Sequence, residues 1–281
     1  MIGPPHVRLP ARPTGEYVMR RAVLVLLPLL LAASSVHAEV RAKEVEYRAD
    51  GTVLKGYLAY DDRISGRRPG VLVVHEWWGH NDYARKRARM LADLGYTALA
   101  VDMFGDGRQA AHPDEAGKLA TEVSQNITLS KARFLAALEL LKHDPNTDPT
   151  RIGAIGYCFG GGVVLQMARE GVDLAGVASF HGMLSTARPA PAGAVKAKVL
   201  VLHGADDPFV PPAQVEQFKD EMKRAQVDLR FVAYPGAVHA FTNPDADALG
   251  KKFNLPLRYD AAADKASWAE MQALFQRVFA R

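Results

Sequence analysis

A cysteine set among glycines constrains this chain more than any other feature. The stretch Gly156-Tyr157-Cys158-Phe159-Gly160-Gly161 follows a short apolar run, Arg151 to Ile155, and precedes a helix-like run, Val163 to Arg169. A strand that turns this abruptly into a helix needs residues without a Cβ beside the turn, for unusual φ/ψ and for close helix-to-strand packing. The context fits the nucleophile elbow G-x-S-x-G with cysteine in the serine's place. Such a turn lifts the sulfur above the sheet edge and aims a helix N-terminus at it, where the partial positive charge favours thiolate. Taken alone, the same residues also fit an ordinary buried cysteine on a core strand.

The rest of the chain decides between these readings. With 281 residues and 48% apolar content there is enough material for a large α/β core without staples. The formal charge of +4 is concentrated early: Arg8, Arg12, Arg20 and Arg21 precede residue 39 against Glu16 alone. Without residues 1–38, the 35 basic and 31 acidic residues become 31 and 30, and no basic patch argues for nucleic acid. Residues 1–38 read as a secretory signal region. Arg20-Arg21 supplies the positive start, Ala22 to Ala33 the apolar run, and Val36-His37-Ala38 a small-residue cleavage site before Glu39. Met19 is a candidate true start, and the arginine pair also suits the twin-arginine route. The apolar run is shorter than the roughly 20 residues a bilayer span needs, so the expectation is a periplasmic or secreted chain without stable membrane association; an uncleaved anchor is the alternative. Cys158 is the single cysteine, so no internal disulfide can form.

From residue 39 onward the pattern predicts one domain. Glu44 to Ala49 and Thr52 to Tyr60, split by Asp50-Gly51, read as an antiparallel hairpin. Continuous apolar strands follow at Gly70 to His75 and Thr97 to Val101, with a helix at Tyr83 to Leu94 between them. Pro113 and Asp114 start a long helical run in which Leu119, Val123, Ile127, Phe134, Leu138 and Leu141 recur at helical spacing. Beyond the elbow come strands at Leu174 to His181, Lys198 to His203 and Asp228 to Tyr234, and helices at Pro212 to Ala225 and Asp264 to Phe279. Strands alternating with helices predict a mostly parallel central sheet with helices on both faces.

In such a sheet, reactive groups belong at the C-terminal strand ends. Two further loops qualify: His203 to Val210, with adjacent aspartates Asp206 and Asp207, and Tyr234 to Phe241, with His239. Cys158, Asp207 and His239 then follow the nucleophile, acid, histidine order of α/β-hydrolases. Thiolate attacks an acyl carbon, imidazole holds the ion pair and later activates water, and carboxylate fixes the imidazole tautomer. The spacing G-x-x-D-x-x-V favours Asp207, leaving Asp206 as a turn or cap residue. His203 reads as a brace for its loop. His75, His80 and His181 lack partners at metal-ligand spacing, so no metal is expected.

Together the elbow, the upstream His75-Glu76-Trp77-Trp78-Gly79, the acid loop from His203 to Val210 and the late His239-Ala240-Phe241 resemble the dienelactone hydrolase family. The resemblance runs from about Glu44 to the C-terminal helix, including Tyr259 to Ala262 and Ser267-Trp268. It implies an α/β-hydrolase fold without a large cap, a triad of Cys158, Asp207 and His239, and no cofactor. It further implies that Glu76 contacts the resting thiol and takes its proton as substrate arrives; by itself Glu76 fits a helix cap or a solvated loop equally well. The oxyanion hole would be the backbone N–H groups of Phe159 and Trp77. Two departures stand out. Family members that cleave dienelactone hold the substrate carboxylate with two arginines, whereas here Arg108 is displaced in the first loop and Asn243 stands four residues after His239. The loss of that clamp, with Trp77, Trp78, Met103, Phe104, Tyr157 and Phe241 nearby in sequence, suggests an apolar pocket; plain core packing suits each of these residues equally. The expectation is a hydrolase of a small ester or lactone acting through a thioester acyl-enzyme. A ligand-binding protein on an inactive hydrolase fold and an acyltransferase are the alternatives.

Overall fold

The chain enters its sheet through a hairpin whose two-residue turn is built from left-handed conformations, φ 47° at Asp50 and 80° at Gly51, as the twist of paired strands demands. It joins β1 (Val40–Ala49) to β2 (Thr52–Asp61), with Ala49 opposite Thr52. The computed structural model describes residues 40–280, together with 1–3, 5 and 11. The chain divides into residues 1–37 and 38–281. The apolar run and cleavage site of the expected signal peptide lie outside the described residues. Among the described residues no helix is long and apolar enough to cross a membrane.

The remaining elements follow in the order β3 (Arg68–Val74), α1 (Asp82–Asp93), β4 (Thr97–Val101), α2 (Pro113–Gln125), α3 (Ile127–His143), β5 (Thr147–Tyr157), α4 (Phe159–Arg169), β6 (Gly176–Phe180), β7 (Lys198–Gly204), α5 (Pro212–Arg224), β8 (Leu229–Tyr234), α6 (Ala246–Phe253) and α7 (Ala261–Phe279). One eight-stranded sheet runs β1-β2-β4-β3-β5-β6-β7-β8. Strands β3 to β8 pair in parallel, and β1 and β2 are antiparallel. From β3 the chain first adds β4 on one side and then β5 on the other, so the sheet has a topological switch point at β3/β5, where such sheets open a crevice.

Side-chain alternation along the strands builds two cores, one on each face. Leu72, Val74, Leu99 and Val101 pack with Leu119, Phe134, Val163 and Phe218 from α2, α3, α4 and α5. Val71, Val73, Ala98 and Ala100 pack on the other face with Ala84 and Leu91 of α1 and Leu274 and Phe275 of α7. This is the mostly parallel, two-faced sheet the pattern predicted, and no cap domain covers it.

Three expectations need correcting. The helical run from Pro113 is two helices, because Asn126 ends α2 and caps α3, its side chain accepting from the Leu129 N–H at 3.0 Å. The apolar period survives the break, so periodicity alone misses it. Helix α6 was not expected: it buries only Ala246 and Gly250 and stops at Asn254 in a left-handed conformation, φ 52°, which leaves no apolar stripe to read. Helix α7 begins at Ala261 rather than Asp264, because Asp260 accepts from the N–H groups of Ala262 and Ala263, each at 3.0 Å.

Candidate active site

Cys158 is the hinge between β5 and α4, with φ 53° and ψ −116°. A residue with a Cβ held in this region stores strain that its surroundings must enforce. Two glycines do much of the enforcing. A Cβ on Gly156 would lie 2.1 Å from the Gly160 carbonyl oxygen, and one on Gly160 would lie 2.3 Å from that of Val74. The start of α4 is therefore pressed against β3 and β5 at van der Waals distance. The Gly160 N–H donates to the His75 carbonyl at 3.1 Å, locking helix to strand.

The three residues expected to act together are brought together from the ends of β5, β7 and β8. His239 donates from Nδ1 to Asp207 Oδ2 at 2.7 Å, and the same histidine stands with Cys158 on the wall of one cavity. The other Asp207 oxygen accepts from the Phe209 N–H at 2.9 Å, so this aspartate is oriented on both sides. Asp206 is exposed, and of the two adjacent acids it is Asp207 that is bonded to His239. Burial disfavours the imidazolium, yet the neighbouring Cys158 and the Asp207 carboxylate that accepts from the ring outweigh it and push His239 up to about 10. Cys158 is partly exposed, whereas His239 and Asp207 are buried.

Glu76 lies at the end of β3, fully enclosed, but its hydrogen bond goes elsewhere than expected. Asn243 donates from Nδ2 to Glu76 Oε2 at 2.7 Å, while Oε1 has no partner. The expected contact with the thiol is not among its hydrogen bonds, because Asn243 holds one oxygen and the other has no partner. Burial is the main influence on this carboxyl and pushes it up to about 7 against the opposing effects of Asn243, His239 and Arg87.

A cavity of about 720 Å³ opens over the sulfur, lined near it by Trp77, Phe159, His239, Phe209 and Leu257. Trp77 and Phe159, the two residues expected to supply oxyanion-hole N–H groups, both stand on its wall. The other expected pocket residues do not. Trp78 is stacked between Trp77 and Phe253, Met103 and Phe104 belong to the core under α2 and α3, and Tyr157 and Phe241 belong to the opposite core. The period of two decides this for Tyr157: it faces away from α4 and stacks on Phe180, ring centroids 4.7 Å apart. Among the described residues no group of three or more His, Cys, Asp or Glu could hold a metal ion.

The sequence pattern of the dienelactone hydrolase family matches residues 54–279. The chain belongs to the dienelactone hydrolase family. A relative from Aquifex aeolicus, provisionally named a carboxymethylenebutenolidase, is 30% identical over 204 residues, covering 71% of this chain and 86% of the relative. The solved structure of P91, a dienelactone hydrolase-like promiscuous phosphotriesterase from metagenomic libraries, superposes with a TM-score of 0.79 at 38% identity, covering 85% of this chain and 99% of P91. A second structure, m3DLH, gives a TM-score of 0.81 at 38% identity, covering 86% and 99%. As a member of this family the protein is a hydrolase of ester or lactone bonds.

As a dienelactone hydrolase relative, the chain has put its displaced arginine to other use. Arg108 donates to the Phe104 carbonyl and lies 3.9 Å from Glu122 on α2, away from the cavity wall. Asn243 is occupied by Glu76.

Sequence reasoning missed a buried chain of polar groups behind the nucleophile. His181 Nδ1 accepts from the Cys158 N–H at 3.2 Å, and its Nε2 meets Thr242 Oγ1 at 2.7 Å. Tyr83 OH meets the same Oγ1 at 2.6 Å and accepts from Arg87 Nε at 3.2 Å. An Nδ1 that accepts fixes the proton on Nε2, and burial pulls His181 well below its usual range, so the ring is neutral. These residues are far apart in sequence, and no local motif joins them.

Proposed function

We propose that the protein cleaves its ester or lactone through Cys158, His239 and Asp207. The observation that carries this reading is the position of His239, hydrogen-bonded to Asp207 and standing with Cys158 on the wall of a cavity large enough for a small molecule. In this mechanism the Cys158 thiolate adds to the carbonyl carbon. The tetrahedral oxygen accepts from the backbone N–H groups of Phe159 and Trp77, two residues of the cavity wall; among the described residues no backbone carbonyl or side chain takes either hydrogen. The carbon–oxygen bond then breaks, His239 gives its proton to the departing alcohol oxygen, and a thioester remains. His239, now neutral and held in one tautomer by Asp207, takes a proton from water as it attacks the thioester, and the acid leaves as thiolate and imidazolium re-form. In a lactone the alcohol stays tethered to the acyl group through these same steps.

Replacing Cys158 by Ala is expected to lower p-nitrophenyl acetate turnover by at least about 1,000-fold while leaving the melting transition cooperative. Turnover within tenfold of the parent chain would remove Cys158 from the mechanism. P91 is named for phosphotriester hydrolysis, and the same nucleophile and backbone donors suit attack at tetrahedral phosphorus. A p-nitrophenyl phosphotriester therefore belongs beside the carboxylic ester in that assay.

A further inference from the structure

The cavity over Cys158 is a slot rather than a bowl. On α4 its wall is Phe159, Gly162, Val163 and Gln166, four residues of one helical face. It therefore follows the helix for eight residues beyond the nucleophile, about 12 Å at 1.5 Å per residue. The facing wall on α2 is Gly117, Ala120, Thr121 and Ser124, small residues of one face, with Gln125 at the end of the helix, while Ala116, Leu119 and Val123 turn to the core. A volume of about 720 Å³ is well above what a substrate confined to the sulfur and its oxyanion donors would fill.

The slot also lacks a group that would select an anion. Apart from His239, the charged side chain on its wall is Arg188, which is 60% exposed and lies 3.5 Å from Glu170. At the far end Gln166 accepts from the Thr186 hydroxyl at 2.7 Å and donates to Glu170 at 3.4 Å. Its amide is thus satisfied within the protein and makes no demand for a polar ligand.

Resting on the hydrolase reading above, we infer that one arm of the scissile ester is a neutral, extended apolar chain that lies along α4 between α2 and the 183–188 segment. Burial of that arm supplies affinity that the arginine pair supplies in dienelactone-cleaving members.

The test is kcat/KM for two ester series, p-nitrophenyl acetate, butyrate and octanoate for the acyl arm, and the acetates of ethanol, butanol and octanol for the alcohol arm. A methylene fully removed from water is worth about fourfold, so at least one series should rise about tenfold or more between its butyl and octyl members. In whichever series rises, the octyl member ending instead in a carboxylate should lose that gain. Gly117→Leu is the companion variant: a Cβ at Gly117 meets nothing within 4 Å, and leucine suits a helix better than glycine, so the side chain fills the slot without straining the fold. Its octyl-to-butyl ratio should fall about tenfold. Turnover with both series flat, a carboxylate analogue as good as the octyl member of the series that rises, or an unchanged ratio in Gly117→Leu overturns the substrate class alone. No turnover of any ester overturns the hydrolase reading and the substrate class with it.

Discussion

Glu76 shows how much one buried atom can tie pH to stability. Its carboxyl has one donor, Asn243, and one oxygen without a partner, so burial dominates and raises it from 4.5 to about 7. A folded-state value above the unfolded one means the folded protein holds this proton more tightly. The associated stability is complete below about 4.5 and is lost as pH rises through about 7. Glutamine keeps the Asn243 bond but has no such proton. Glu76→Gln should therefore gain on the parent chain as pH rises from 5 to 8, by about 2 kcal/mol from the shift involved. Urea unfolding at both pH values measures this, and a gap that stays constant would show that Glu76 titrates at its ordinary value. Nothing in the sequence around Glu76 announces Asn243 as its partner, because 167 residues separate them. The bond between Asp207 and His239 was legible, since a short loop spacing singles out Asp207.

At the level of elements, boundaries depend on caps more than on apolar period. The junction of α2 and α3 rests on Asn126, whose side chain accepts from the Leu129 N–H at 3.0 Å. Asn126→Ala should lower stability by about 1 kcal/mol through loss of this cap, read as a lower urea midpoint with an unchanged slope; no loss would mean that packing alone holds the junction. The strands were legible for the opposite reason. Val71 to Val74 are fully buried, and only a strand covered on both faces reads as an unbroken apolar run. Helix α6, lying on the surface and burying two small residues, gives no such signal.

Across the whole molecule, Arg87 ties the two ends of the described domain together behind the active site. From α1 it donates to the Thr242 carbonyl at 2.7 Å and to Asp264 on α7 at 2.6 Å, and it bonds Tyr83 at 3.2 Å. Its side chain is 4% exposed, so removing it leaves several acceptors without a donor. Arg87→Met should cost about 3 kcal/mol, and Arg87→Lys should restore little, because a single ammonium cannot replace a fork that reaches three separate acceptors. Equal midpoints for the arginine and lysine proteins in urea would refute the requirement for the fork.

The sequence by itself determined most of the strands and helices, the elbow at Cys158 and the meeting of Asp207 with His239 at the strand ends. These depend on local physics: apolar period, turn geometry, and short spacings at strand ends. Tertiary structure alone decided that Met103, Phe104, Tyr157 and Phe241 fill the cores, that Trp78 packs between Trp77 and Phe253, that Asn243 takes the carboxylate of Glu76, and that His181 supports the nucleophile's backbone. It also shaped the slot between α2 and α4. Those outcomes depend on which faces meet across a folded sheet, and residues far apart in a chain carry no local record of meeting.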